Sequence, residues 1–379
     1  MNFEFSPQHE QVRDTIIRFV AQEITPRIEA AEETETFPRE IFRKWGELGL
    51  LGVRYPEADG GSGFDKISDC IVREEISRAS QGFGTTWSAH THLALWPIWR
   101  IGTPAQKERF FKPGLTGEKV GGFALSEPDG GSDIRSMKTR AQKVDGGWRL
   151  NGAKLYISNA PFADFLMVAA RTKPELTADA ISLFLVDLPN AGLDIGKLKK
   201  EGIRSSETGI IHIDDAFVPD DCLLGERVGT YGVVLESLSE NRVGVAANCL
   251  GMARGAFEAA LAFAKTRIVR DKPIIEYQAV AHKLADMAAD IEAAKWMVYY
   301  GAWRVDQGTI DAPTASKVKL IASETALKVS ENAIRILGGA GIMREYPVGR
   351  FHRDAFVYVI GEGTSEIQRN IIARDLKAT

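Results

Sequence analysis

Apolar positions along this chain change their period twice. Behind Ser6 and Pro7, a helix-start pair, Val12, Ile16, Ile17 and Val20 share one face of a 3.6-residue repeat. The same repeat predicts helices over 39–48, 66–80, 85–101 and 104–111, with 57–63 reading as a loop. From residue 120 the runs shorten. Those at 120–127, 139–144, 148–158, 165–171, 181–186 and 209–217 are apolar or alternating, with Asp-Gly-Gly, Asn-Gly and Pro-bearing turns between them, as expected of an antiparallel sheet unit. Beyond about 229 the chain is Ala-rich and helical again, over 233–267, 277–306, 312–337 and 364–375. The fold class expected is mainly α with a central β domain: an N-terminal helical part at 1–118, a β part at 119–227 and a C-terminal helical part at 228–379.

A chain of 379 residues is longer than one hydrophobic core usually serves, and 44% hydrophobic content is enough to fill two or three. With 47 basic and 51 acidic residues the formal charge is only -4, which gives no electrostatic footprint for nucleic acid or a membrane surface. Cys70, Cys222 and Cys249 are odd in number and lack CxxC or metal spacing, so buried thiols in a reducing compartment are expected rather than disulfides. The segment Met1-Asn2-Phe3-Glu4-Phe5 has neither a secretory leader's order nor a transit peptide's arginines, and no apolar run is long enough to span a bilayer. A cytoplasmic protein is expected, or a mitochondrial matrix one if the chain is a trimmed organellar product. His90 and His92, two apart, fall on different sides of a helix and do not suggest a metal site.

Two segments carry candidate chemistry. Gly361-Glu362-Gly363 sets one carboxylate between two glycines, free to swing, ahead of a helix with apolar positions at Ile367, Ile371, Ile372 and Leu376; Ser365 with Gln368 reads as its capping box. Alone, such a glutamate is a surface acid that complements the helix macrodipole. The second segment, Ala124-Leu125-Ser126-Glu127-Pro128-Asp129-Gly130-Gly131-Ser132-Asp133, offers backbone donors and hydroxyls suited to an anionic or carbonyl-rich ligand. No GxGxxG lies between a strand and a helix, so the usual nicotinamide or flavin fingerprint is absent.

With these segments in that order and spacing, the chain resembles the acyl-CoA dehydrogenase family over about residues 5–373. The resemblance implies a helical N-terminal domain, a middle β-sandwich or barrel and a C-terminal four-helix bundle. It implies FAD, an acyl-CoA substrate, electron-transfer flavoprotein or a similar acceptor, and a homotetramer whose neighbouring subunit helps to hold FAD. Carried over by position, Phe123, Leu125, Ser126, Gly131 and Ser132 would lie along the flavin, Ser126 near its pyrimidine end and Ser132 towards the CoA thioester. Tyr156-Ile157-Ser158 matches the family's Trp-Ile-Ser/Thr element, Ser158 near flavin N5 and Tyr156 over a ring face; by itself this stretch reads as an ordinary strand. Arg267 and Gln278 match an Arg and Gln that contact FAD, although Arg270 and Asp271 stand where the family usually has Phe-Gly. Arg335, in a usual Gln position before Gly338 and Gly339, is either a charge-assisted donor to the pyrophosphate or a solvated charge. Thr364 and Glu366 fall in a cofactor-touching segment, Glu366 in place of an amide.

On the substrate side the resemblance implies Ser132, Ser239, Arg242, Gly361, Gly363 and Trp87. Ser239 replaces an acid, and Gly361 replaces a Tyr, which frees room for short, branched or cyclic acyl groups. Trp87, near Trp96 and Trp99, either narrows the opposite wall or packs in the core. Glu362 would remove the α-proton of the thioester while the β-hydride goes to flavin N5, leaving a trans-2-enoyl product; burial should raise its pKa. Some relatives carry the base just before the arginine matching Arg242, but Asn241 stands there and Glu240 points about 100° away. Two rivals stay open: a flavin oxidase or monooxygenase on the same fold, which commonly lacks this Glu, and a non-catalytic homologue, hinted at by Arg270, Asp271 and Glu366.

Overall fold

Ser6 opens the first helix, Pro7–Phe19, as its pattern predicts: its Oγ accepts the His9 N–H at 3.2 Å while His9 Nδ1 accepts the Ser6 N–H at 3.2 Å, a reciprocal cap with Pro7 in the first turn. The computed structural model describes residues 4–175 and 177–378. Residues 1–3, part of the N-terminal reading above, lie outside the described residues. The helix expected over 66–80 runs Lys66–Ala79. The one expected over 85–101 begins earlier and is not uniform: Gln81–Ser88 passes through a π-helical stretch, Ala89–Ala94, into Leu95–Ile101. His90 and His92 fall in that wider stretch and are tied to backbone. His90 Nε2 bonds to Gly114 O at 2.9 Å and its Nδ1 takes the Gly121 N–H at 2.9 Å; His92 Nε2 bonds to Ser237 O at 3.0 Å.

The β part is one curled sheet of seven strands: β1 Gly121–Ala124, β2 Arg140–Val144, β3 Gly147–Ser158, β4 Phe165–Arg171, β5 Ile181–Asp187, β6 Leu193–Lys197 and β7 Thr208–Pro219. The expectation of an antiparallel unit needs correction, because the sheet is mixed. β1 runs parallel to β4 from Gly121↔Phe165 onward, and β2 meets β4 in parallel at Arg140↔Arg171. The chain makes the β2–β3 hairpin between β1 and β4, so it returns along the same edge in the same direction, as a parallel crossover requires. β4 and β5 are covered on both faces and carry no alternation from which direction could be read. β6 was not expected; its residues are half-exposed and too polar for the apolar pattern.

Tyr231–Thr266, Gln278–Asp306 and Ala312–Leu337 form the long helices of the C-terminal part, joined by a short hairpin, Ile268–Val269 with Lys272–Pro273. Its two-residue turn is Arg270-Asp271, both at positive φ (48° and 66°), as the turn type that best fits a tight hairpin needs. That is where the usual Phe-Gly is missing. Two further helices, Val348–Ile360 and Ser365–Ala378, cross the bundle, and the first of them was not expected.

The core divides in two. One cluster joins the first helices to the bundle; the other gathers Trp96, Phe110, Phe111 and Leu115 onto the sheet, so helices of the N-terminal part serve both. Cys70, Cys222 and Cys249 are buried free thiols, in keeping with the reading of the sequence. No helix among the described residues is long and apolar enough to cross a membrane.

Candidate active site

Val348–Ile360 ends where the Gly361 N–H bonds to Val357 O at 2.6 Å, and a Cβ at Gly361 would lie 2.8 Å from that carbonyl. This tight helix end asks for glycine whatever the acyl group. Glu362 and Gly363 then take left-handed backbone, φ 55° and 88°, an uncommon conformation for glutamate that turns the chain into the last helix. The expected capping box is not formed. Thr364 Oγ1 accepts the Ile367 N–H at 3.2 Å, Ser365 Oγ is buried without a partner among the described residues, and Gln368 Nε2 reaches back to Gly363 O at 2.9 Å and Glu362 O at 3.3 Å. The left-handed pair moves the cap one residue earlier and leaves Gln368 to stitch the turn.

Nor does the Glu362 carboxylate swing freely in this structure. Asn241 Nδ2 donates to its Oε2 at 2.6 Å, and Lys319 Nζ holds the Gly363 carbonyl at 2.8 Å. Burial pushes the Glu362 carboxyl above its ordinary pKa, against the Asn241 hydrogen bond and the positive charges of Arg73, Lys319 and Arg242. Arg242 donates to Ser239 Oγ at 3.3 Å, and burial lowers its pKa. Glu240, the rival base, is engaged in an ion pair with Arg54.

Asn241, Gly244 and Asn248 follow one face of Tyr231–Thr266. Against Gly244 lies the guanidinium of Arg73, which is fully buried; a Cβ at 244 would sit 2.6 Å from its Cζ. Arg73 Nε bonds to Asp69 Oδ2 at 3.0 Å, its Nη1 donates to Ser88 Oγ at 2.9 Å, and Asn248 Nδ2 reaches the same Ser88 oxygen at 3.1 Å. Trp87 is buried with its ring 5.1 Å from Arg73 Cζ.

The β half is anchored from below. Glu127 accepts the Lys138 N–H at 2.6 Å, the Thr139 N–H at 2.9 Å and Lys154 Nζ at 2.9 Å. Burial pushes the Glu127 carboxyl up, but the charge of Lys154 and these donors hold it below its ordinary pKa; burial takes Lys154 down to about 8. On this anchor Ser126 is half-buried, with its carbonyl taking the Leu155 N–H at 2.9 Å, while Gly131 and Ser132 are exposed. β3 is not an ordinary strand at Tyr156. Its pairing with β7 breaks between Lys154 and Ile157, Tyr156 has φ 62°, and its side chain is 71% exposed, while Ile157 and Phe123 are buried behind it and Leu125 and Ser158 are half-buried.

A third group lies at the far end of the bundle helices. Arg267 lines a cavity of about 340 Å³ with Phe263, Val269, Ile274, Tyr277 and Ile336, while Gln278 is exposed at the start of its helix. At Gly338 and Gly339 an added Cβ would meet nothing within 4 Å, so this backbone is open to a ligand. Arg335 is exposed and pairs with Glu331 Oε1 at 2.5 Å; Glu366 is exposed, with Arg369 at 3.8 Å. The fold thus brings Glu362 together with Ser239, Arg242, Gly361 and Gly363, and sets Ser126, Ser132, Tyr156 and Ser158 on one loop and strand. Within this single chain Arg267 and Arg335 belong to neither group.

Sequence reasoning missed the parts played by Asn241, Arg73, Glu127, Lys154, Lys319 and Gln368. A charged residue inside the apolar run Cys70-Ile71-Val72-Arg73 was the one available signal.

The profile described as acyl-CoA dehydrogenase, N-terminal domain, matches residues 6–118; the middle-domain profile matches 122–216 and the C-terminal-domain profile 231–377. The chain is 39% identical over 378 residues to a probable acyl-CoA dehydrogenase of Bacillus subtilis (strain 168), covering 99% of this chain and 100% of that one. Its structure is similar to butyryl-CoA dehydrogenase from Megasphaera elsdenii (TM-score 0.96, 33% identity, 100% of each chain). It is also similar to a glutaryl-CoA dehydrogenase from Mycobacterium smegmatis in complex with FADH2 (TM-score 0.94, 29% identity, 99% of this chain and 96% of that one).

Proposed function

This chain belongs to the acyl-CoA dehydrogenase family, and from that premise we propose that Glu362 is the base of its reaction. The protein is an FAD-dependent oxidoreductase that introduces the α,β double bond into an acyl-CoA thioester. The observation that carries the assignment is the held carboxylate: Glu362 sits in a left-handed turn, bonded to Asn241 at 2.6 Å, with its pKa raised by burial. A carboxyl so placed is a stronger base than an exposed one, and it takes the proton from the substrate α-carbon. Asn241, which cannot accept that proton, orients Oε2. The Glu362 backbone N–H is suited to the thioester oxygen, where negative charge develops.

The residues present fit a flavin dinucleotide. Ser126, Ser132 and Ser158 supply hydroxyl donors beside an exposed aromatic ring, Tyr156; Arg267 sets a cation at the rim of an apolar cavity; Gly338 and Gly339 leave open backbone. When bound, FAD supplies the hydride acceptor for the β-carbon. We assign to it Phe123, Leu125, Ser126, Gly131, Ser132, Tyr156, Ile157, Ser158, Arg267, Gln278, Arg335, Gly338, Gly339, Thr364 and Glu366, with Ser132, Ser239, Arg242, Gly361, Gly363 and Trp87 on the acyl-CoA side.

The same reading takes 1–118, 119–227 and 228–379 as three domains of a homotetramer that passes electrons to electron-transfer flavoprotein or a similar acceptor. Exposed Tyr300, Trp303, Ile321, Ile342, Met343 and Phe356 on the bundle support burial against further copies, and the separation of Arg267 and Arg335 from Glu362 within one chain fits a cofactor site shared between subunits. A cytoplasmic location agrees with three buried free thiols.

Glu362→Gln tests the central assignment by anaerobic mixing with a panel of acyl-CoAs. Flavin reduction should slow by at least ~100-fold while FAD and thioester still bind. Reduction near the wild-type rate would overturn it.

A further inference from the structure

We infer that the acyl group this enzyme selects carries a carboxylate, and that Arg73 is the residue that recognises it. This deepens the assignment above and rests on Glu362 facing the reacting carbons.

Three observations lead there. Arg73 is fully buried, yet its Nη2 has no partner among the described residues, and Trp87 Nε1 beside it has none either. A buried guanidinium nitrogen left unbonded is costly, so such donors call for an acceptor. The charges are also unbalanced. Among the described residues Asp69 is the one carboxylate within contact distance of two buried cations, Lys66 at 2.5 Å and Arg73 at 3.0 Å, with Glu362 acting on Arg73 from further off, while Glu240 is taken by Arg54. The next carboxylate, Asp306, takes the Lys66 backbone N–H at 2.8 Å. Near Glu362, Arg242 and Lys319 add positive charge, and among the described residues neither has an ion-pair partner of its own within contact distance; once Glu362 has taken a proton, the carboxylate that still bears on Lys319 is Glu324, itself paired with Arg369 at 3.2 Å.

The third observation is position. Gly244 is one helical turn from Asn241, the residue that holds the Glu362 carboxylate, and the Arg73 guanidinium lies against Gly244. One turn further on, Asn248 shares Ser88 with Arg73, and its own Oδ1 has no partner among the described residues. Along this helix from Glu362 therefore come, in order, Asn241, the Arg73 guanidinium against Gly244, and Asn248 with Ser88, while Thr85 and Tyr358 are bonded to each other at 3.0 Å. A saturated hydrocarbon tail would offer nothing to the donors left over here, Arg73 Nη2 and Trp87 Nε1, which have no partner among the described residues. A dicarboxylic acid bound to CoA as a monothioester would satisfy Nη2 and neutralise the surplus charge.

The test compares anaerobic flavin reduction of the wild-type holoenzyme by succinyl-, glutaryl- and adipyl-CoA with that by butyryl-, pentanoyl- and hexanoyl-CoA. The best carboxylate should exceed the best neutral thioester in kcat/KM by at least ~100-fold, a floor below the roughly 10⁴–10⁵ by which a site built around a polar group rejects an analogue lacking it. Arg73→Gln should bring that ratio near one, whichever way the absolute rates move. Gly244→Ala, whose new Cβ must displace the guanidinium, should lower the ratio in the same direction and serves if Arg73→Gln does not fold. Neutral thioesters preferred by the wild type would overturn the inference and leave the dehydrogenase assignment intact. Binding of the same thioesters to the Glu362→Gln holoenzyme reads recognition without turnover. Tighter binding of carboxylates there would support Arg73 recognition even if Glu362 proved not to be the base, and equal binding would refute it.

Discussion

The β half of the site and its helical half are built on opposite plans. On the β side the groups meant for a ligand stand in solvent, with Tyr156 71% exposed and Ser132 on an open loop, and the buried polar atoms are anchors beneath them, Glu127 and Lys154. On the helical side the carboxylate proposed as the base, Glu362, is held inside a ring of buried polar residues, Asn241, Arg73 and Lys319. The difference teaches how the work is divided. The β surface stands open, to be shielded from water by whatever ligand covers it, whereas the helical side already carries oriented charges that need not rearrange as a proton moves.

The comparison breaks soonest at the β anchor. Glu127→Leu removes the acceptor from two backbone N–H groups and from buried Lys154, and should cost about 3 kcal/mol, the lower end for breaking a buried pair, because Lys154, already at about 8, can shed its proton. Urea unfolding reads the loss, and faster hydrogen exchange over 126–139 should locate it. Adding Lys154→Met should restore only the part due to the unpaired ammonium, because the Lys138 and Thr139 N–H groups still lack their acceptor. The sign with pH follows from the depressed Glu127 carboxyl: its contribution is complete above the ordinary carboxylate range and disappears as pH falls through the lowered value. A Glu127→Leu protein as stable as wild type would mean that the loop is held by something else.

How much of this could be read from sequence depends on whether a feature is local. The first helix, its Ser6 cap, the sheet unit and the long bundle helices follow from periodicity and caps, and they stand where expected. The parallel pairing of β1 with β4 did not, because strands covered on both faces carry no directional pattern. The same holds at the site. Glu362 is conspicuous between two glycines, but Asn241 lies 121 residues away in the chain, and only the fold brings them together. Ser365 with Gln368 looked like a cap until the left-handed backbone at Glu362 and Gly363 gave that role to Thr364.

Asn241 sharpens the helical side of the comparison. Its amide stabilises the charged form of Glu362 and so opposes the upward shift caused by burial. Asn241→Leu should therefore raise the Glu362 pKa further, and the acidic limb of the flavin-reduction rate should move to higher pH. A hydrogen bond to a charged group is worth about 1.5–3 kcal/mol, so the limb should move by about one to two pH units while the plateau above it survives. A limb that stays put, or moves to lower pH, would show that Asn241 does not bond the ionised carboxylate during turnover.

The smallest effect is expected at Arg335, whose position leaves open which plan it follows. In this chain it is 63% exposed and bonded to Glu331 one turn away, a pairing worth no more than about 0.5 kcal/mol, so Arg335→Ala should leave stability within that margin. If Arg335 instead serves the cofactor phosphates, the variant should hold FAD less tightly, by up to about tenfold for one exposed charge-assisted contact. Salt separates the two roles. Added salt screens a phosphate contact, so wild-type FAD affinity should fall more steeply with ionic strength than that of Arg335→Ala, and the two curves should converge. Glu331→Gln frees the guanidinium from its present partner and should tighten FAD slightly at low salt. Parallel salt curves for wild type and Arg335→Ala would return this arginine to the role of a solvated charge, and FAD would then owe its phosphate contacts to Arg267 and to the open backbone at Gly338 and Gly339.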